Sequence, residues 1–132
     1  MEQSPTVYDA IGPQPLADFA VALYRRIDSD PTIRAMFPSD LSATSESVRD
    51  MREFLIQFFG GPTGYSDRKG HPRLRARHMR FPITPAARDA WFGHASAALA
   101  EIVARHGVSD AVARDMQAYF DHASRFMINH SA

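Results

Sequence analysis

The sequence predicts an all-α fold, and three observations predict it. Apolar residues recur at helical spacing in four separate stretches. Cap-plus-proline pairs and glycine breaks punctuate those stretches where helices would begin and end. No run alternates apolar and polar residues in the way a half-buried strand requires. At 132 residues the chain is long enough for one domain, 1–132, with one real core.

In order, residues 1–14 read as an irregular lead-in, with Val7, Tyr8 and Ile11 able to pack as a short turn of helix before Gly12-Pro13. Residues 15–29 are the first clear helix. Leu16, Phe19, Ala20, Leu23, Tyr24 and Ile27 form its apolar stripe, with Asp18, Arg25, Arg26 and Asp28 on the other side. Asp30-Pro31 starts a short turn that ends at Phe37-Pro38. Residues 39–46 are polar and rich in capping groups, hence a loop in which several hydroxyls compete to cap the next helix. That helix, 46–59, carries Met51, Phe54, Leu55, Phe58 and Phe59 on one wide face, with Ser47 one turn before Met51. Gly60-Gly61-Pro62 ends it, and 63–70 is expected to be a loop with one aromatic, Tyr65. Thr84-Pro85 opens a helix to about Arg105, with Trp91, Ala95, Ala98 and Ile102 on one stripe and His106-Gly107 as its stop. Ser109 caps the last helix, 110–129, whose Val112, Met116, Tyr119, Phe120, Ala123, Phe126 and Met127 are expected to face the core.

Between these halves lies a short basic stretch, HPRLRARHMRFPI, from His71 to Ile83. His71-Pro72 reads as its start and Pro82 as its stop. Leu74 and His78, four apart, fall on one helical face with Arg73, Arg75 and Arg77 fanned around them. A lone imidazole beside an apolar residue and guanidinium groups suits an axial metal ligand next to an anionic cofactor. By spacing alone, the more ordinary reading is a buried structural histidine near a surface basic patch. Tyr24 and Trp91 pose the same choice. A buried phenol or indole needs a hydrogen-bond acceptor, which is either the protein or a ligand.

Composition removes several classes of function. Fifteen basic and fifteen acidic side chains balance, so no overall field draws nucleic acid or anionic lipid. The absence of cysteine excludes disulfides, thiolate zinc sites, iron–sulfur clusters and a cysteine nucleophile. It is compatible with a reducing cytoplasm, the expected location. No secretory pattern opens the sequence and no apolar stretch is long enough to span a bilayer. Phosphate-binding, dinucleotide, zinc-protease and serine-hydrolase motifs are all missing.

Taken together, YDAIG at Tyr8–Gly12, Tyr24 in the first helix, Phe37-Pro38, FLIQFFGGP at Phe54–Pro62, Tyr65, the His71–Ile83 run and RDAWF at Arg88–Phe92 closely resemble the truncated haemoglobins of the second group. The resemblance runs almost end to end. It implies a shortened globin fold, a two-on-two helical sandwich around haem b. It implies that His78 is the metal ligand and that Tyr24, Trp91 and Ser47 border the bound ligand on the distal side. Phe37, Met51, Phe54 and Leu55 would then pack against the haem, Phe81 would wall the proximal side, and Arg75, Arg77 and Tyr65 would approach the propionates. Asp50 stands where relatives often carry a basic residue, which shifts propionate anchoring toward Arg49 or the central arginines.

A neutral histidine leaves the sixth iron position open for dioxygen, and donors facing a partly negative ligand stabilise it. One hydrogen bond of that kind is worth roughly 1.5–3 kcal/mol. Two donors therefore imply high affinity and slow release, with CO, NO and peroxide as further ligands. A second reading makes the same site an enzyme, a nitric oxide dioxygenase or a peroxidase. That reading requires an external reductase, because no flavin or nicotinamide motif is present. A third reading is a non-haem helical partner-binding domain that keeps Tyr24, Trp91 and His78 as core. Either a monomer or a homodimer is compatible with the sequence.

Overall fold

The apolar stripes become helices because each must be buried against another. The computed structural model describes residues 5–131. The first four residues of the expected lead-in, and Ala132, lie outside that range. Seven α-helices follow in order: α1 (Val7–Ile11), α2 (Pro13–Asp28), α3 (Glu46–Phe58), α4 (Gly64–Lys69), α5 (Leu74–His78), α6 (Pro85–His106) and α7 (Asp110–Phe126). A 3₁₀ turn, Arg34–Met36, lies between α2 and α3, and no strand occurs among the described residues. Helix α2 packs on both α3 and α6, and α6 packs on α7, so two helical pairs form a sandwich. Leu16, Phe19, Leu23 and Ile27 of α2, Val48 and Leu55 of α3, Ile102 of α6, and Met116 and Phe120 of α7 form its core. Phe19 and Phe120 stack at 4.7 Å, which joins the first and last long helices. Among the described residues no helix is long and apolar enough to cross a membrane.

The caps explain the boundaries. Ser45 wins the competition among the loop hydroxyls and accepts the Val48 N–H at 3.2 Å. Thr84 and Ser109 accept from Ala87 and Val112 in the same way. Gly107, at φ 65, gives α6 its left-handed stop. Helix α2 begins two residues before the expected position, because Pro13 already suits the first helical turn. Gly60 and Gly61 are required by a close approach. A Cβ on Gly60 would meet Thr6 at 2.6 Å, and one on Gly61 would meet Ile56 and Tyr8 at 2.8 Å. That proximity lets the Tyr8 N–H donate to the Phe59 carbonyl at 2.9 Å, which seats α1 on the end of α3.

Four expectations are corrected. Residues 63–70 are not a loop: Gly64–Lys69 forms α4. No apolar period announces it, and it is held by docking on α3. The Gln57 amide donates to Ser66 Oγ at 2.7 Å and accepts the Ser66 N–H at 2.9 Å. Arg68 and Lys69 pair with Asp50 at 2.6 and 2.8 Å. Pro72 does not open α5. Arg73 precedes the helix in a left-handed conformation, φ 44, which is the single positive φ outside glycine among the described residues. The last helix stops at Phe126, three residues short of the expected end. Finally, Phe126 is 58% exposed and so is not core, and Phe58, on the apolar face of α3, is 49% exposed as well. Phe58 instead lies flat on Tyr119, with centroids 3.9 Å apart.

Candidate functional site

Between the two helical pairs the structure encloses a cavity of about 650 Å³. That volume lies within the span of small-molecule and cofactor sites. Tyr24 enters it from α2, Phe37 from the turn after the 3₁₀ segment, and Ser47, Met51, Phe54 and Leu55 from α3. Tyr65 comes from α4, Arg77 and His78 from α5, Phe81 from the segment after it, and Trp91 from α6. Every site residue expected from the sequence lines this space except Arg75 and Arg49. The Arg75 guanidinium turns away to the carbonyls of Phe126 and Ile128, at 3.2 and 3.4 Å. Arg49 also lies off the cavity, paired with Glu53 at 3.2 Å. The basic groups that do border the cavity are Lys69, Arg77, Arg80 and Arg88.

His78 is half-buried, at the last position of α5. Its Nδ1 lies 2.6 Å from the Leu74 carbonyl oxygen, one turn back. A carbonyl only accepts, so Nδ1 carries the proton and donates it. The lone pair is therefore on Nε2, which has no protein partner among the described residues. This is the tautomer and orientation of a metal-ligating histidine whose second nitrogen is fixed by the backbone. The same element is pinned from its far side. Asn129 donates to the carbonyls of Phe81 and His78 at 3.0 and 3.4 Å, and accepts the Ile83 N–H at 2.9 Å.

Tyr24 is 8% exposed, and its hydroxyl opens onto the cavity instead of onto a protein acceptor. Burial pushes the phenol well above its ordinary range, and the nearby Asp50 carboxylate and Tyr65 add to that. Tyr24 therefore stays an O–H donor at physiological pH. Its ring meets Phe37 edge-on at 6.1 Å. Trp91 packs edge-on against Phe120 at 6.2 Å, and its indole N–H likewise finds no protein acceptor among the described residues. Asp50 borders the same space. Burial raises its carboxyl, but hydrogen bonds from Lys69 and Arg68 outweigh this and hold it below the ordinary value.

Sequence reasoning missed one buried cation at the cavity wall. Arg88, 7% exposed, donates to Ser124 Oγ at 2.9 Å and to Asp121, and lies 4.4 Å over the Phe92 ring. The sole signal was a charge one turn inside an apolar helix. Asn129 left no signal at all, because its partners are about fifty residues away in sequence.

These residues fit a flat, mostly apolar cofactor that carries its own metal. One imidazole presents a free nitrogen, aromatic and aliphatic side chains form the walls, and cations sit along the border. Among the described residues no group of three or more acidic or histidine side chains gathers to hold a bare ion. A metal reaching His78 would therefore bring most of its ligands with it.

Comparison with known proteins bears on this geometry. The family profile of the bacterial-like globins matches residues 6–125. The group 2 truncated hemoglobin YjbI of Bacillus subtilis (strain 168) is 45% identical over 84 residues, which is 64% of this chain and 61% of that protein's length. The match therefore spans under two thirds of that relative. A solved hemoglobin from the thermophilic phototrophic bacterium Chloroflexus aurantiacus superposes with a TM-score of 0.87 at 43% identity, covering 96% of this chain and 100% of the other. A truncated oxygen-avid haemoglobin from Bacillus subtilis superposes with a TM-score of 0.84 at 35% identity, covering 94% and 99%.

Proposed function

The chain belongs to the bacterial-like globin family, among the group II truncated haemoglobins, and from that premise we propose that it is a single domain that binds haem b, holds dioxygen tightly and releases it slowly. One observation carries the reading. A single cavity brings together a histidine with its outer nitrogen free and two donors, the Tyr24 phenol and the Trp91 indole, that the protein itself leaves without acceptors. Haem b, when bound, supplies an iron with a position open to a small gaseous ligand.

The protein's own groups do the rest. His78 would hold the metal through Nε2, and the Leu74 carbonyl keeps its ring from turning and raises its basicity. Tyr24 stays protonated because burial disfavours its phenolate, so it offers hydrogen to any acceptor in the cavity. Trp91 offers a second hydrogen. A ligand bearing partial negative charge gains roughly 1.5–3 kcal/mol from each such donor. Since about 1.4 kcal/mol is tenfold, even one of them slows release by an order of magnitude. Met51, Phe54 and Leu55 line one side of the space with apolar groups that offer water few hydrogen bonds. Arg77 and Arg80 are the cations nearest to His78 in sequence that reach the cavity, and they suit the carboxylates of the haem. The solved Bacillus subtilis relative is an oxygen-avid haemoglobin, which supports the tight-binding part of this reading.

The test is an absorption spectrum of the purified protein, ferric, ferrous and with CO, before and after adding haem. A Soret band that responds to CO is the expected result, and His78→Ala should abolish the five-coordinate ferrous spectrum. No Soret band after haem addition would sink the proposal and leave a helical domain whose Tyr24, Trp91 and His78 are merely packed.

A further inference from the structure

The segment that carries His78 is short and has little to hold it. Helix α5 is five residues long, has no side-chain cap, and is preceded by the left-handed Arg73. A helix of that length is not stable by itself, so its position is set by what grips it.

The grip on one side is Arg77. Its Nε donates to the Pro72 carbonyl at 2.7 Å, and its Nη2 donates to the carbonyls of Lys69 and His71 at 3.0 and 3.3 Å. Lys69 is the last residue of α4, and its carbonyl has no partner within that helix. One guanidinium thus caps the end of α4 and folds the intervening loop around itself, one residue before His78. The His71 ring adds to the fold by accepting the Arg73 N–H on Nδ1 at 3.1 Å. Helix α4 is in turn tied to α3 through Gln57–Ser66 and through Asp50 with Arg68 and Lys69. On the other side, Asn129 holds the carbonyls of His78 and Phe81. A continuous line of hydrogen bonds and ion pairs therefore runs from α3 through α4 and Arg77 to α5, and Asn129 closes it from behind.

We propose that Arg77 and Asn129 are positioning residues that clamp α5 and so fix the direction of the His78 ring, with Arg77 acting through its fork of backbone hydrogen bonds and not through its charge alone. This inference rests on the haem reading above. It differs from simple anchoring of a cofactor carboxylate by Arg77, since only one nitrogen of the guanidinium, Nη1, is left without a backbone partner.

The experiment uses the whole chain loaded with haem, in wild type, Arg77→Gln, Arg77→Lys, Asn129→Ala and, as a control, Arg114→Gln. Arg114 is exposed on α7, away from the cavity, and makes no hydrogen bond or ion pair among the described residues. The first readout is the iron–histidine stretching band of the ferrous, ligand-free form. The second is haem loss to excess apomyoglobin. The third is hydrogen exchange of residues 69–79 in the haem-free protein. Arg77→Gln and Asn129→Ala should shift or broaden the band and speed haem loss about tenfold, the low end for removing an outer-shell partner. Both should also speed exchange, while Arg114→Gln leaves band and exchange unchanged. Arg77→Lys should not rescue, because an ammonium is a point charge that does not reproduce a planar fork onto three carbonyls.

A wild-type band and wild-type haem retention in Arg77→Lys would overturn the clamp in favour of a charge-only role. The same result in both Arg77→Gln and Asn129→Ala would also overturn it. If wild type itself shows no iron–histidine band, the haem reading fails. The clamp is then judged on exchange alone, and unaltered protection in both variants refutes it.

Discussion

Tyr24→Phe is the change that most directly separates a ligand-directed phenol from a structural one. The Tyr24 ring is in the core cluster and 8% exposed, yet its hydroxyl meets no protein acceptor among the described residues. A buried hydroxyl left without a partner costs about 1–3 kcal/mol. Because this one faces a cavity that admits water, the low end applies, about 1 kcal/mol. Removing the oxygen leaves ring packing against Phe37 intact. The haem-free variant should therefore be as stable as wild type or up to about 1 kcal/mol more stable, read as an increased denaturant midpoint at constant slope. The haem-loaded variant should show the opposite tendency in function. Loss of one donor to a partly charged ligand removes roughly 1.5–3 kcal/mol, a tenfold or greater rise in the dioxygen release rate by stopped flow. The two signs together make the test. A Tyr24→Phe protein that unfolds more than 1 kcal/mol more easily, with unchanged release, would show that the phenol braces the fold and that its place in the cavity is incidental.

Trp91→Phe keeps an aromatic against Phe120 but removes the indole donor. Dioxygen release should again quicken about tenfold, and an unchanged rate would assign the donor role to Tyr24 alone. Arg88→Leu strips Asp121 and Ser124 of a buried cation. The variant should lose stability, because Ser124 and the Phe92 ring lose a cation that is 7% exposed, read as a lowered denaturant midpoint at constant slope. Hydrogen bonds from the Thr32 hydroxyl, then His94 and the Thr32 backbone, lower the Asp30 carboxyl from 3.8 to about 2. A lowered carboxylate contributes stability that is complete above its ordinary value and is lost as pH falls toward about 2. Unfolding of Asp30→Asn across that interval should depend less on pH than wild type, and parallel curves would remove Asp30 from the acid transition.

The long helices were legible because each carries its own apolar period and its own cap. Thr84-Pro85 and Ser109 set boundaries that needed no tertiary information. Helix α4 was not legible, since nothing within GYSDRK repeats at helical spacing and its stability comes from Gln57 and Asp50 on another helix. Arg88 was overlooked for a related reason. A lone arginine in the first turns of a helix ordinarily points to solvent, and its burial depends on Asp121 and Ser124, more than thirty residues later. Phe58 and Phe126 mislead in the opposite direction, because apolar character at helical spacing fixes a side of the helix but not whether another element covers it. The cavity was legible through the pattern HPRLRARH with RDAWF, which put His78 and Trp91 in one space. Arg75 belongs to the same pattern, but the direction of a guanidinium is decided by which carbonyls it reaches, here those of Phe126 and Ile128.

Where polar groups are satisfied and where they are not has a physical consequence for the fold. Ser45, Arg88 and Ser124, the buried polar residues of the core, all have partners, and outside the cavity the Arg26 Nε is the one enclosed side-chain donor without a partner among the described residues. Inside the cavity, by contrast, a phenol, an indole and an imidazole nitrogen all open on the same space. Phenylalanine at position 24 would fill the same volume without leaving a donor there. Local cost that accumulates in one place, with satisfaction elsewhere, marks a site whose partner is external. Whatever fills this space therefore acts on the fold as well as the chemistry. It supplies apolar contact to α2, α3 and α6 together and gives α5 a reason to stay docked, so stability should rise with cofactor concentration by mass action, as for any ligand bound only by the native state.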